Sequence, residues 1–210
     1  MSKLVLIGGG GHCKSVLDSA KRMNCFEEIV ITDPKIEPGT KILGHAVVGN
    51  DDCLEQLLRQ GFDHAFITVG SINTDPLREK IADRVALLGF VFPVIKDPSA
   101  VVSDSSVIGE GTFIGKNAVV NAEAVVGRHC IINSGVVIEH ECSIGDFSHV
   151  SVGTALCGTV KIGRNCMIGA GSTVIQSVTV GDKCVIGAGT VVIKDLPDNS
   201  KAVGVPARII

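Results

Sequence analysis

Cut into sixes from Val101, the second half of the chain carries an aliphatic residue at the second position of every hexad. The series runs Val102, Ile108, Ile114, Val120, Val126, Ile132, Ile138, Ile144, Val150, Leu156, Ile162, Ile168, Val174, Val180, Ile186 and Val192, with no slip in register. A strict six-residue period is the signature of a parallel β-helix. Each hexad is expected to supply one short strand and one corner, its aliphatic pointing into a narrow prism whose coils stack through main-chain hydrogen bonds. Gly follows the aliphatic at 109, 115, 127, 145, 163, 169, 181 and 187. These glycines are expected to supply the φ values that corners demand. The sixth position is mostly small, and four cysteines fall there: Cys130, Cys142, Cys166 and Cys184. They are read as small packing residues rather than catalytic thiols.

The first half has another rhythm. Short apolar runs at 4–7, 29–31, 65–69 and 90–95 read as strands. Stretches 12–23, 51–60 and 75–88 read as helices, with Asp51 as a cap, Pro76 in a first turn and Gly89 just past an end. Alternation of this kind implies a parallel sheet with helices on its faces. The fold class expected is therefore α/β then all-β: a small Rossmann-like domain over 1–96 and a β-helix over 97–210, parted where Asp97-Pro98 breaks the last strand.

Composition narrows the function. The chain is 45% hydrophobic, yet no run reaches the roughly 18 apolar residues of a membrane helix. Aromatics make up 3%, with no Trp or Tyr, and the net charge is -3. Neither a stacking platform nor a basic field for nucleic acid is present. The apolar run at the N-terminus is too short for a signal peptide, so a cytoplasmic protein is expected. The eight cysteines then stay reduced, and none forms a CxxC pair that would suggest a zinc or redox motif.

An unbroken hexad tract ending in Gly204-Val-Pro-Ala-Arg208 resembles the hexapeptide-repeat acyltransferases, whose prism is left-handed. With the preceding α/β domain, the chain is similar to bacterial sugar acyltransferases of the sialic-acid O-acetyltransferase type. Within that group it looks most like the N-acetyltransferases that act on nucleotide-linked 4-amino sugars. The most specific segment is Asn133 to Gly158, NSGVVIEHECSIGDFSHVSVGTALCG. The resemblance implies acetyl-CoA as co-substrate, no metal, a UDP-type amino sugar as acceptor, and a homotrimer with active sites between subunits.

Amide formation from a thioester needs a base for the amine proton, a donor for the oxyanion, and alignment of both substrates. His140, beside Glu141, is the candidate base, because a neighbouring carboxylate raises imidazole basicity and fixes its tautomer. Ile138-Glu139-His140-Glu141-Cys142 matches the family's catalytic histidine motif, which carries the role to His140 and Glu141. On the resemblance, His149 hydrogen-bonds the acetyl group of the CoA ester and Asn133 lies near it. Gly158 presents its N–H to the oxyanion. Ala170, Gly187 and Ala188 match small residues against which the pantetheine arm lies. His140 and His149 are nine residues apart, half of a coil of about 18 residues, and so leave the prism in different directions; a shared site would draw them from two chains.

Gly8-Gly9-Gly10-Gly11-His12 follows a strand and opens a helix, where backbone N–H groups and the helix dipole can hold a phosphate. It is not a good dinucleotide fingerprint, since a GxGxxG frame from Gly8 meets Cys13. The resemblance makes this a nucleotide-sugar site, with Gly10, Gly11 and His12 on the diphosphate, Asp33 on uracil or ribose, and Gly70 as a further contact. All lie at carboxyl ends of strands, where open α/β sheets bind ligands. Three alternatives stand beside this reading: a sialic-acid O-acetyltransferase, a non-catalytic β-helix scaffold, and a γ-carbonic anhydrase with zinc on His129, His140 and His149.

Overall fold

The computed structural model describes residues 2–70 and 76–210. Its contacts divide the chain into two units, 2–70 with 77–98 and 99–210.

The first unit contains β1 (Ser2–Ile7), α1 (Gly11–Met23), β2 (Phe26–Thr32), β3 (Lys41–Ile42), β4 (His45–Gly49), α2 (Leu54–Arg59), β5 (His64–Ile67), α3 (Leu77–Leu87) and β6 (Ile95–Lys96). The sheet order is β3-β4-β2-β1-β5. β1 is parallel to both β2 and β5, and its Leu4 to Ile7 run is fully buried. An uninterrupted apolar strand is what a central parallel strand covered on both faces requires. α1 buries Cys13, Val16, Leu17 and Ala20, one stripe at helical spacing; burying each of the larger ones stabilises by about 1.5–3 kcal/mol. The helix stops at Asn24, whose left-handed backbone (φ 52°) returns its N–H to Lys21.

Two features of this unit escaped the pattern. β3 and β4 form an antiparallel hairpin turned by Leu43 and Gly44, both at positive φ, as a tight hairpin demands. The expected strand at 90–95 is reduced to a bridge from Val91 to His64 and the short β6, because Pro93 has no N–H to give a ladder. Asn50 caps the 3-10 turn Asp51–Cys53 that leads into α2, accepting the Asp52 N–H at 3.0 Å. Asp51, read as the cap, instead accepts the Thr32 hydroxyl. Of the helix expected at 75–88, Asp75 lies outside the described residues, and α3 begins at Leu77.

The second unit is a stack of 18-residue coils. Two-residue strands repeat on three faces, all paired in parallel with the coil above and below. The first face carries strands such as Val137–Ile138 and Ala155–Leu156, the second Ser143–Ile144 and Lys161–Ile162, the third Ile131–Ile132, His149–Val150 and Met167–Ile168. Arg208–Ile209 closes the tail, antiparallel on Lys201–Val203. The second-position aliphatics form the core, with Val102 and Ile108 only partly buried in the first coil.

The sixth position also faces inward, and its residues do more than fill space. The hydroxyls of Thr112, Ser148, Thr154 and Ser172 donate to the carbonyls of Gly127, Gly163, Gly169 and Gly187 in the next coil. Cys130 and Cys166 approach Gly145 and Gly181 in the same way. A small donor satisfies a carbonyl that would otherwise be buried unpaired. Burial pushes the Cys166 thiol up to about 12.

The glycines after each aliphatic serve a different purpose from the one expected. None has positive φ. A Cβ at Gly145 would lie 2.5 Å from the Arg164 backbone nitrogen, and one at Gly169 2.5 Å from that of Ala188. They are glycine because the next coil occupies the space. From the hexad at 107 to the hexad at 185 the left-handed corner residue is the fifth, and it is often not glycine: Asn117, Glu123, His129, Glu141, Phe147, Thr159, Asn165, Ser177 and Lys183 all have φ between 54° and 62°.

Candidate functional site

His140 occupies the fourth position of its hexad, at the corner joining the first face to the second. Ala122 lies 18 residues before it and Gly158 18 after. The corner is tied vertically: Glu141 N–H donates to Ala122 O at 3.0 Å, and Thr159 N–H to His140 O at 2.9 Å. Glu141 is held at φ 57°, and its Oε2 stands 3.0 Å from His140 Nδ1. A carboxylate there makes Nδ1 the protonated nitrogen of the neutral ring. Nε2 is left with a lone pair, on a side chain 51% exposed.

Gly158 keeps the fourth position of its hexad, in register with the repeat. It sits beneath the ring: a Cβ there would come within 2.5 Å of His140 Nε2 and 2.7 Å of Cε1. Any other residue would displace the imidazole. The Gly158 N–H donates to no group among the described residues, while its carbonyl accepts from Ser177 N–H at 3.0 Å.

His149 and Asn133 come together. His149 is the first residue of its hexad on the third face, between Ile131 and Met167 in the ladder. Asn133 Oδ1 accepts the Ser134 N–H at 2.8 Å, which turns its amide nitrogen toward His149 Nε2, 3.3 Å away. His149 Nε2 is then the acceptor and its Nδ1 carries the proton. Ser151, which the sequence reading passed over, puts its hydroxyl 3.4 Å from the same nitrogen. Its signal was present: in a strand, residue i+2 shares the face of residue i.

Ala170 and Ala188 stack at the corner joining the third face to the first, with Gly189 N–H on Ala170 O. Both are exposed, a smooth strip on the corner that also carries Asn133. Gly187 has a packing reason to be small, since a Cβ would meet Val203 Cγ1 at 2.8 Å. The corner bearing His140 lies across the triangular section of the prism from the face bearing His149. One chain therefore does not bring the two imidazoles together.

In the α/β unit, Gly10 is the N-cap of α1 with no side-chain cap. A Cβ at Gly10 or Gly11 would meet nothing within 4 Å. His12 and Gly70 adjoin, with a Cβ at Gly70 3.8 Å from that of His12. Open first-turn N–H groups with room around them suit an anion. Asp33 is engaged within its own loop. Its Oδ2 accepts the Gly9 N–H at 2.7 Å and its Oδ1 the Lys35 N–H at 2.8 Å, so both oxygens already brace the loop. A cavity of about 480 Å³ opens beside it, walled by Ile7, Gly8, Asp33 and Asp51 on one side and by Leu77, Lys80, Ile81 and Arg84 of α3 on the other. The α3 contribution was not legible, because a helix face reads as core or solvent until something is packed opposite it. Among the described residues no group of three His, Cys, Asp or Glu is placed to hold a metal, and no helix is long and apolar enough to cross a membrane. His129 is 4% exposed and stacks on Phe147.

Comparison with known proteins agrees with these two units. Residues 3–85 match the PglD N-terminal domain. Residues 105–140 match the bacterial transferase hexapeptide model of six repeats, and 159–194 the hexapeptide repeat of succinyl-transferase. A variant of perosamine N-acetyltransferase from Caulobacter crescentus, solved with CoA and GDP-perosamine, is 37% identical with a TM-score of 0.93, over 100% of this chain and 97% of that one. The acetyltransferase domain of PglB from Neisseria gonorrhoeae is 35% identical with a TM-score of 0.93, over 100% of both chains; with acetyl coenzyme A bound it matches at 36% identity, over 99% of this chain and 98% of that one. UDP-N-acetylbacillosamine N-acetyltransferase from Bacillus subtilis is 34% identical over 116 residues, a match that spans about half the length of each protein.

The fold is thus a small parallel-sheet α/β domain followed by a left-handed parallel β-helix. The chain belongs to the hexapeptide-repeat sugar acyltransferases that carry a PglD N-terminal domain.

Proposed function

We propose that the protein transfers acetyl from acetyl-CoA to the amine of a nucleotide-linked, UDP-type 4-amino sugar. The observation that carries this reading is the His140–Glu141 pair, with Nε2 open above a glycine. The neutral amine attacks the thioester carbonyl while Nε2 takes its proton. The tetrahedral intermediate collapses by expelling the CoA thiolate, which recovers that proton from the imidazolium and leaves as the thiol. The Gly158 N–H, beside Nε2, is suited to the developing oxyanion. His149 and Asn133 orient the thioester, and Ala170, Gly187 and Ala188 accommodate the pantetheine arm. The α/β unit holds the nucleotide, with the diphosphate on Gly10, Gly11 and His12 and with Gly70 beside them. The perosamine N-acetyltransferase solved with CoA and a GDP-sugar supports the two-substrate reading.

The divergence of His140 and His149 within one chain supports a homotrimer whose sites each draw on two β-helices. None of the eight cysteines is in a disulfide, and five are buried thiols, which suits a reducing cytoplasm. The test is thiol release from acetyl-CoA against UDP-4-amino, UDP-3-amino and TDP-linked sugars and free or CMP-linked sialic acid. Release with an amino sugar alone supports the proposal; release with sialic acid moves the activity to O-acetylation; release with none rejects acetyl transfer to these acceptors. Mixed trimers of inactive His140→Ala and His149→Ala chains test the shared site, since recovered activity requires residues from two chains.

A further inference from the structure

Where the third face turns into the first, the third position of the hexad is glycine at 115, 169 and 187, but Asn133 and Ser151 in the two coils between. Glycine there has a packing reason. A Cβ at Gly115 would lie 2.8 Å from the Ser134 nitrogen, and one at Gly169 2.5 Å from that of Ala188. The two residues that depart from glycine in this column reach the same atom: Asn133 Nδ2 stands 3.3 Å and Ser151 Oγ 3.4 Å from His149 Nε2.

Ser151 is 6% exposed, and its N–H donates to Ile168 O at 2.9 Å, so the ladder sets where the hydroxyl lies. The other group beside that hydroxyl is Met167 Sδ at 3.9 Å. A thioether is a weak acceptor, so the hydroxyl proton goes to the imidazole nitrogen. The Asn133 amide cannot turn over, because its NH2 would then face the Ser134 N–H that Oδ1 accepts at 2.8 Å. Nε2 thus meets two donors, and a proton added there would oppose the Asn133 N–H. We infer that Ser151 is a positioning residue: with Asn133 it keeps the ring proton of His149 on Nδ1 and makes that histidine a neutral hydrogen-bond donor to the thioester rather than a second base. This deepens the acetyl-transfer reading above and rests on it for the ligand. The two histidines are then tuned in opposite senses. An acceptor, Glu141, engages Nδ1 of His140 and leaves Nε2 to take a proton, whereas two donors engage Nε2 of His149 and leave the proton to be given as a hydrogen bond.

The test is Ser151→Gly, which installs the residue that the column carries at three other levels and removes only the hydroxyl. Nitrogen NMR of the imidazole rings in the full-length protein, with the His149 signals identified by their loss in His149→Gln, is expected to show the wild type protonated at Nδ1 and bare at Nε2 at neutral pH. In Ser151→Gly the ring is expected to become a mixture of states. The kcat for thiol release should fall about 10-fold, the effect of one hydrogen bond, with KM for acetyl-CoA little changed and the melting temperature kept. Ser151→Thr, which keeps a hydroxyl, should retain both the wild-type ring state and most of kcat. Ser151→Ala, which keeps the Cβ, should match Ser151→Gly. An unchanged ring state in both Ser151→Gly and Ser151→Ala overturns the inference, as does a wild-type ring protonated at Nε2 or equal losses in Ser151→Gly and Ser151→Thr. If the wild type releases no thiol with any acceptor, the acetyl-transfer reading fails, while the ring spectra still decide whether Ser151 sets the state of His149.

Discussion

Two glycine-rich regions of this chain show how one residue type serves opposite needs. At the mouth of the α/β unit, Gly10 and Gly11 face empty space, and a Cβ on either would meet nothing within 4 Å. In the β-helix, Gly145 and Gly169 face the next coil so closely that a Cβ would lie 2.5 Å from backbone nitrogen. The first pair keeps a helix terminus clear for something that is not protein. The second lets protein approach protein. Gly158 combines the two: it sits in the stacked corner, yet the space it leaves is taken by the His140 ring.

The contrast can be tested by filling these spaces. The largest effect is expected at the corner. His140→Asn should lower kcat by about 10²–10⁴-fold, and Gly158→Val should approach the same loss by displacing the ring, both read as thiol release with acetyl-CoA binding largely kept. Next, Gly145→Ala should destabilise the fold by about 1–3 kcal/mol, as overpacking does, and lower the melting temperature. Gly10→Ala, whose backbone has φ −74°, should leave stability within about 0.5 kcal/mol while weakening nucleotide binding. If Gly10→Ala melts as early as Gly145→Ala, the distinction between open and stacked glycines is wrong.

Smaller effects follow at the corners. Lys183 is exposed at φ 55°, a backbone that costs an ordinary residue about 1 kcal/mol or more. Lys183→Gly relieves this, offset in part by the entropy glycine loses, so urea midpoints should rise by an amount worth about 0.5 kcal/mol. A drop would show that the Lys side chain contributes more than its backbone costs. Finally, Asp146 titrates below the ordinary carboxylate value: burial opposes this, but the Arg128 backbone N–H and guanidinium outweigh it. A depressed folded value means the stabilisation is present above the unfolded value of about 3.9 and is lost as pH falls through the folded one. Asp146→Asn should therefore melt earlier than the wild type at neutral pH, and the gap should close below about pH 4.

The β-helix was legible because its repeat is local: every hexad states its own strand and inward residue, and one register error would have broken sixteen coincidences. The α/β strands at 4–7, 29–31 and 65–69 were legible as apolar runs. The β3–β4 hairpin was not, because Lys41–Ile42 is too short to show a period and Leu43 is an unexpected residue for positive φ. His140 and Glu141 were readable as neighbours, and so was the pairing of an imidazole with a carboxylate. Ser151 carried a readable signal, two residues from His149, whereas Asp51 and the inner face of α3 did not, since Thr32, the partner of Asp51, lies 19 residues away and the face of α3 meets other elements.

The sequence alone determined the period, and with it the fold of the second unit, because main-chain stacking leaves only an aliphatic or a small donor inside so narrow a prism. It also made the His140–Glu141 pair readable, since an adjacent carboxylate needs no folding to be adjacent. Only the tertiary structure decided why each glycine is glycine and which acid braces the loop beside the cavity. Those outcomes depend on what the neighbouring coil or helix brings within 3 Å, and that distance is not written along the chain.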